Sequence, residues 1–479
     1  MANPILVLQM QRMGDLVLTF PLLMWLRRQF PGPLLRVVAE ERFFTPLLPL
    51  SPPAGYITWD EAAAGALDSS AYSLILNLSI REDAALLAGR LRAERVVGPA
   101  REPGRDGALR IHGPWQLYRA GLVHNNRHNR FHWADLNALD VIPLSTMRQT
   151  RYDPPRPPEA ATSRAVGLFV GASEPGKRPA PEYYAQLVAE LLARDFRPIL
   201  LGGPDDRPVA EAVRALCAHK PLDMTGRLSV RELAAIGQTL CLMITPDTGP
   251  MHLAAWTGLR TLKRAVCNGS PWETGPFQPG HAVARSRASC ARGCWSCTRS
   301  RPLCRDALTP RRVAALAAHM AGDQPLPEQW ERLGRMDMPG LSLFRTGRGA
   351  AGLYSLERLG PRRAEAEGQA GSLAGEFWRG YFLWRLAGGE AEKVAARATW
   401  LALADRHPAL AARVRGALPT LGRELCGPSG AGAGSLAAVL PFLRPLAGYL
   451  DMLVQNGDGS DACLRASLEH VAALAELCA

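Results

Sequence analysis

The sequence has no apolar run long enough to span a bilayer, very little lysine, few aromatic residues and no block of like charge. Each shortage excludes something. The N-terminal stretch MANPILVLQMQRMGDLVLTFPLLMWLRRQF is the most apolar candidate for a leader or anchor. It lacks a basic start, and Gln9, Gln11, Arg12 and Asp15 interrupt it well short of the roughly 20 apolar residues that a spanning helix needs. A cytoplasmic protein with at most peripheral membrane contact is expected. Only four of the 56 basic residues are lysine: Lys177, Lys220, Lys263 and Lys393. The arginines are scattered, and with aromatics at 7% no aromatic–basic RNA-binding motif appears, so nucleic acid is not an expected partner.

What is present is a large, basic, globular chain. Its 479 residues suffice for about three domains at roughly 150 residues each. The 47% hydrophobic content can fill real cores, and the net charge of +12 favours an acidic partner. The first half alternates short apolar runs with amphipathic stretches. ILVLQ, LRVVAE, YSLILNL and RVVG read as strands apolar on both faces, as in a parallel sheet covered by helices. GDLVLTFPLLMWLRRQF reads as one helix between the first two. The Pro-rich TRYDPPRPPEAATSR (150–164) reads as a linker, after which the strand–helix pattern restarts. From Gln324 the composition turns to Ala, Leu, Arg and Gly with long helical stretches.

These patterns predict an α/β protein with three parts. Residues 1–150 and 151–323 form two Rossmann-like domains facing a cleft, and 324–479 form an appended C-terminal α-helical domain. Ligands in such sheets bind beyond the carboxyl ends of the strands, where the unusual residues of this chain fall.

Asp15 lies just past the first strand, in the first turn of the next helix. A carboxylate there suits a general base for a hydroxyl or a plain helix-start acid. Lys177, in GASEPGKRPAPEYY, and Ser173 beside it sit in a strand-to-helix loop that can reach a phosphate, or simply be solvated. Gly202 and Gly203 follow the next strand and permit close approach of a ligand, with Asp205 or Asp206 available to ribose hydroxyls. The most informative stretch is ITPDTGPMHLAAWTG. Pro250 preorganises a first helical turn, so the N–H groups of Thr248 and Gly249 can meet an anion, while His252 projects from that turn. Asp247 then faces sugar hydroxyls more readily than phosphate, since two anions in contact repel.

Taken together, ILVLQMQRMGDLVLTF, LFVGASEPGKRPAPEYYAQL, ILLGGPDD, MTGRLSVRELAAIGQTLCLMITPDTGPMHLAAWTG and GPFQPG resemble glycosyltransferase family 9, the ADP-heptose:lipopolysaccharide heptosyltransferases, over residues 4–321. The resemblance implies a GT-B fold and an inverting, metal-independent transfer of a sugar from a nucleoside diphosphate donor, ADP-heptose in the family. The acceptor it implies is an anionic glycolipid of the lipopolysaccharide core at the inner face of the cytoplasmic membrane. It further implies Asp15 as the base, Lys177 as the diphosphate lysine, Thr248 and Gly249 as the phosphate-binding turn, and Asp247 and His252 as donor-sugar contacts. Two features depart from it. GASEPGK lacks the family's paired threonines, and Lys263 and Arg264 occupy a strand that the family usually keeps apolar. Two alternatives stay open, a non-catalytic nucleotide-sugar-binding or scaffold relative and a transferase acting on another polysaccharide or a protein.

Cys290, Cys294, Cys297 and Cys304 have a spacing close to that of a four-thiolate structural site for zinc or an iron–sulfur cluster, with plain thiols or disulfides as the alternative. Four thiolates would close the coordination sphere, so no metal cofactor is expected in catalysis.

Overall fold

The computed structural model describes residues 3–102, 107–123, 125–151, 163–172, 174–266, 269–288, 297, 299–300, 302–321, 326–361, 368–425 and 440–479. Two sheets organise the chain. The first contains β1 (Ile5–Gln9), β2 (Leu35–Ala39), β3 (Gly55–Thr58), β4 (Leu74–Asn77), β5 (Val96–Arg101) and β6 (Leu109–His112), ordered β3-β2-β1-β4-β5-β6. All neighbours are parallel except β5 and β6. Every residue of β1 is buried, as a central strand with helices on both faces requires.

The second sheet repeats the plan. Its strands are β7 (Ala165–Phe169), β8 (Arg197–Leu201), β9 (Leu222–Asp223), β10 (Leu242–Thr245), β11 (Thr261–Ala265), β12 (Ala282–Ser286), β13 (Leu341–Arg348) and β14 (Tyr354–Leu359). They run β9-β8-β7-β10-β11-β12-β13-β14. In both sheets the strand order reverses beside the first strand, which places a ligand crevice at the carboxyl ends of β1 and β7 and their neighbours. This is the expected α/β architecture of two Rossmann-like lobes.

Two local expectations change. The predicted single helix after β1 is two, α1 (Met13–Val17) and α2 (Phe20–Gln29). Pro21 has no N–H to offer the carbonyl of Val17, and its ring crowds that carbonyl, so the helix must restart. The segment from Gln324 is not wholly helical. β13 and β14 pair antiparallel and extend the second sheet through β12, and among the described residues the long helices begin only at α4 below.

At the crevice, β10 leads into helix α3 (Gly249–Trp256). Further on, α4 (Ala370–Ala387) and α5 (Glu390–Arg406) are separated by Gly388, whose φ of 74° is the left-handed conformation that ends a helix. These helices pack on the first lobe. The Phe382 and Tyr118 ring centroids are 4.4 Å apart, and one apolar cluster joins Phe20, Trp25, Trp115 and Phe131 to Phe377, Trp378 and Trp400. The C-terminal third is therefore bonded to both lobes, adding strands to the second and covering a face of the first. No helix among the described residues is long and apolar enough to cross a membrane.

Candidate functional site

The starts of α1 and α3 meet across the crevice. A Cβ on Gly14 would lie 3.1 Å from Gly249 Cα and 3.3 Å from His252 Cδ2, and one on Gly249 would lie 3.3 Å from the Gly14 nitrogen. Two glycines therefore set how closely the lobes approach. Trp256 adds a bond from its Nε1 to the Leu50 carbonyl at 2.7 Å, and its ring stands edge-on to Phe20.

On the first-lobe side stands Asp15. Burial raises its pKa, opposed by the positive charge of Arg119 and by backbone hydrogen bonding around Arg12. Arg119 comes from the helix Pro114–Ala120, and its Nη1 donates to Asn137 Oδ1 at 2.8 Å.

On the second-lobe side, Asp247 is buried among cations. Lys263 Nζ donates to Asp247 Oδ1 at 2.6 Å and to the Thr274 carbonyl at 2.7 Å. Lys177 Nζ lies 3.4 Å from Asp247 Oδ2 and 2.9 Å from Glu174 Oε1. Thr274 Oγ1 donates to the same carboxylate at 3.2 Å. Burial disfavours the Asp247 charge, but Lys263 and Lys177 outweigh it and hold the carboxyl down at about 2. Burial alone would lower Lys177, and Asp247 and Glu174 reverse that, so its pKa is raised. His252 is neutral: burial, with Lys263 nearby, pulls it down to about 4 against the attraction of Asp247. Its Nδ1 has no protein hydrogen-bond partner among the described residues.

Thr248 precedes α3 in extended conformation, and its hydroxyl does not cap the helix. The first N–H groups of α3 therefore have no side-chain cap, as anion binding requires. Gly202 has another use. A Cβ there would meet Asp206 Cβ and Thr225 Cγ2, each at 2.9 Å, so its missing side chain admits the chain's own Asp206. Asp206 in turn accepts from the Gly203 N–H at 2.9 Å and from Arg178 at 3.1 Å, which commits it to the loop, while Asp205 is exposed. Ser173, Cys290 and Cys294 lie outside the described residues. Cys297 is exposed, and Cys304 is buried in the second lobe's core with Leu308 and Val313.

Sequence reasoning registered Lys263 only as an anomaly in its strand, yet it has 0% side-chain exposure and is the nearest partner of Asp247. Arg264 is also buried, its guanidinium 4.2 Å from the centre of the Tyr183 ring. A second group was missed altogether. Glu273, raised by burial to about 7 against its bonds from two asparagines, accepts from Asn126 at 2.7 Å and Asn129 at 3.0 Å, joining the lobes. His132 accepts the Ala134 N–H at Nδ1, which leaves Nε2–H to donate to the Gly275 carbonyl at 2.9 Å. An asparagine or histidine in a loop carries no sequence signal for such a bridge.

Residues 66–290 match the family model "Glycosyltransferase family 9 (heptosyltransferase)". The lipopolysaccharide core heptosyltransferase OpsX of Haemophilus influenzae is 26% identical over 98 residues, 20% of this chain. The match spans only 28% of that relative's length. A glycosyltransferase family 9 structure from Veillonella parvula superposes with a TM-score of 0.52 at 18% identity, covering 67% of this chain and 97% of the other. The ADP-heptose lps heptosyltransferase II of E. coli gives 0.51 at 17% identity, covering 66% and 98%. These two likenesses establish the GT-B fold.

Proposed function

We propose that the chain, whose residues 66–290 match the glycosyltransferase family 9 model, is an inverting, metal-independent glycosyltransferase that moves a sugar, heptose first among candidates, from a nucleoside diphosphate to an anionic glycolipid of the cell envelope. ADP-heptose is the proposed donor and the lipopolysaccharide core the proposed acceptor, met by peripheral contact with the membrane surface.

The observation that carries this reading is the pair of acids at the facing helix starts. Asp15 has its proton affinity raised and Asp247 has its own suppressed. Carboxylates pushed apart in this way divide into a proton acceptor and a permanent anion. Asp15 takes the proton from the acceptor hydroxyl as its oxygen attacks the anomeric carbon, and the bond to the diphosphate breaks on the opposite face of the sugar. Lys177 and the start of α3 at Thr248 and Gly249 stabilise the departing diphosphate, in the place a metal takes elsewhere. Lys263 keeps Asp247 neutralised when Lys177 turns to the phosphate. His252, neutral, offers a ring nitrogen to donor hydroxyls, and Asp247 presents to the sugar whatever lone pairs the lysines leave. The four cysteines suit a structural zinc or iron–sulfur site, through which no step passes.

Donor screening by mass spectrometry with wild type and Asp15→Asn tests this. The variant is expected to lose about 10²–10⁴-fold in transfer rate with donor affinity unchanged. Full activity in Asp15→Asn ends the assignment. Undiminished wild-type transfer in excess chelator supports metal independence.

A further inference from the structure

Behind the loop 269–274 lies a second cavity, of about 230 Å³. Its wall carries Arg127, Arg130, Arg285, Arg287 and Arg358, and no carboxylate stands among its described residues. The arginines come from three separated segments of the chain; neutral acceptors hold three of them, and Arg130 Nε also lies 3.5 Å from Glu376 Oε1. Arg285 Nη1 donates to the Gly269 carbonyl at 3.0 Å, Arg358 Nη1 to Ser342 Oγ at 2.6 Å, and Arg130 Nη1 to the Asn129 carbonyl at 3.0 Å. Planar guanidinium groups held in this way match the oxygens of a phosphate.

The cavity continues into a groove of about 1120 Å³ between the β13–β14 hairpin and helices α4 and α5, mainly apolar but also lined by Arg148, Glu357, Glu376, Arg379 and Glu392. Arg130, Trp272, Phe344, Arg358 and Ser372 line both. Beyond them the groove presents Ala351, Leu356, Leu373, Leu383 and Ala398. Trp272 and Phe344 mark the boundary, each with an arginine over its ring, at 4.8 Å for Arg130 and 4.7 Å for Arg358. A cationic chamber opening onto a mainly apolar trough is complementary to one kind of molecule, an acidic head on an apolar body.

We propose that the cavity and groove together bind a phosphate-bearing amphiphile, its phosphate among the five arginines and its apolar part along α4 and α5. The loop 269–274 is a partition with a site on each side. Gly269 accepts from Arg285, while Thr274 bonds to Asp247. The head group would lie one loop from the transfer centre, which suits the anionic part of a glycolipid acceptor; that identification, though not the binding itself, rests on the transferase reading.

Calorimetric titration of the full chain with dihexanoyl phosphatidic acid, glycerol 3-phosphate and dihexanoyl phosphatidylcholine, all without nucleotide and below micelle formation, tests the binding. Phosphatidic acid is expected to bind at least about tenfold more tightly than either of the others. Arg287→Gln with Arg358→Gln should weaken it at least about tenfold, and Ala398→Glu, on the exposed side of α5, should weaken it while leaving glycerol 3-phosphate unchanged. Thermal melts of each variant separate lost binding from lost fold. Equal binding of phosphatidic acid and glycerol 3-phosphate, or affinity unmoved by the arginine pair in a folded variant, overturns the proposal. A failed donor screen would remove the transferase reading and leave this result standing, and the reverse holds equally.

Discussion

Two strand-to-helix turns face each other across the crevice, one from each lobe, built to nearly the same plan. Each follows a central strand, β1 or β10, and each brings an aspartate and a glycine to a helix start. Their acids nevertheless behave oppositely. Asp15 mostly feels burial, which outweighs the charges of Arg119 and Arg12, so its pKa rises. Asp247 is buried too, but two lysines and a threonine hydroxyl touch it, and it is held at about 2. The helix starts are alike, so the dipole does not separate them. Placement of counterions does, and half of the protein's lysines are spent on one carboxylate.

The sharpest way to break the contrast is Lys263→Met. It leaves Asp247 buried with Lys177 alone, and losing one member of a buried pair costs about 3–5 kcal/mol. Asp247 titrates below its unfolded value near 3.9, so its stabilisation is present above about pH 4 and is lost as pH falls toward 2. In Lys263→Met that loss should set in at higher pH. The double variant Asp247→Asn, Lys263→Met should recover most of the stability at pH 7 in denaturant titrations. Equal instability of single and double variants would mean that packing, not charge, governs the site.

Lys177→Met sharpens the contrast from the functional side. Lys177 is the less buried of the two lysines, with side-chain exposure of 11% against 0% for Lys263. It can leave Asp247 for a diphosphate without stranding it. Stability should change little, while kcat falls about 10²–10³-fold, as when one charge-stabilising donor is removed. Steady-state kinetics beside a melting curve check both halves, and a large loss of stability with normal kcat would exchange the roles of the two lysines.

Much of this was legible beforehand because it is local. Asp247–Thr248–Gly249–Pro250 specifies a helix start through chemistry within four residues, and the buried runs of β1, β4 and β10 specify strands in the same way. The remainder depends on contacts distant in sequence. Lys263 looks anomalous in an apolar strand until Asp247, 16 positions earlier, is seen beside it. Gly202 reads as room for a ligand until Asp206 fills that room. The strands Leu341–Arg348 and Tyr354–Leu359 sit in a chain region whose composition favours helix, and only the open edge of β12 recruits them.

The gentlest test alters the charge near Asp15 without touching it. Arg119 opposes the rise in the Asp15 pKa, so Arg119→Met should raise that pKa further. A general base works ionised, and a higher pKa leaves less of it ionised on the acid side. The acid limb of kcat/KM against pH should therefore move to higher pH, with the plateau near wild type. Arg119→Lys keeps the charge and should restore the limb, even though the bond to Asn137 is altered. A limb that shifts equally in both variants would trace to packing around the Trp133 ring, which the Arg119 guanidinium approaches at 5.3 Å. A limb that stays fixed in both would assign the titration to a group other than Asp15.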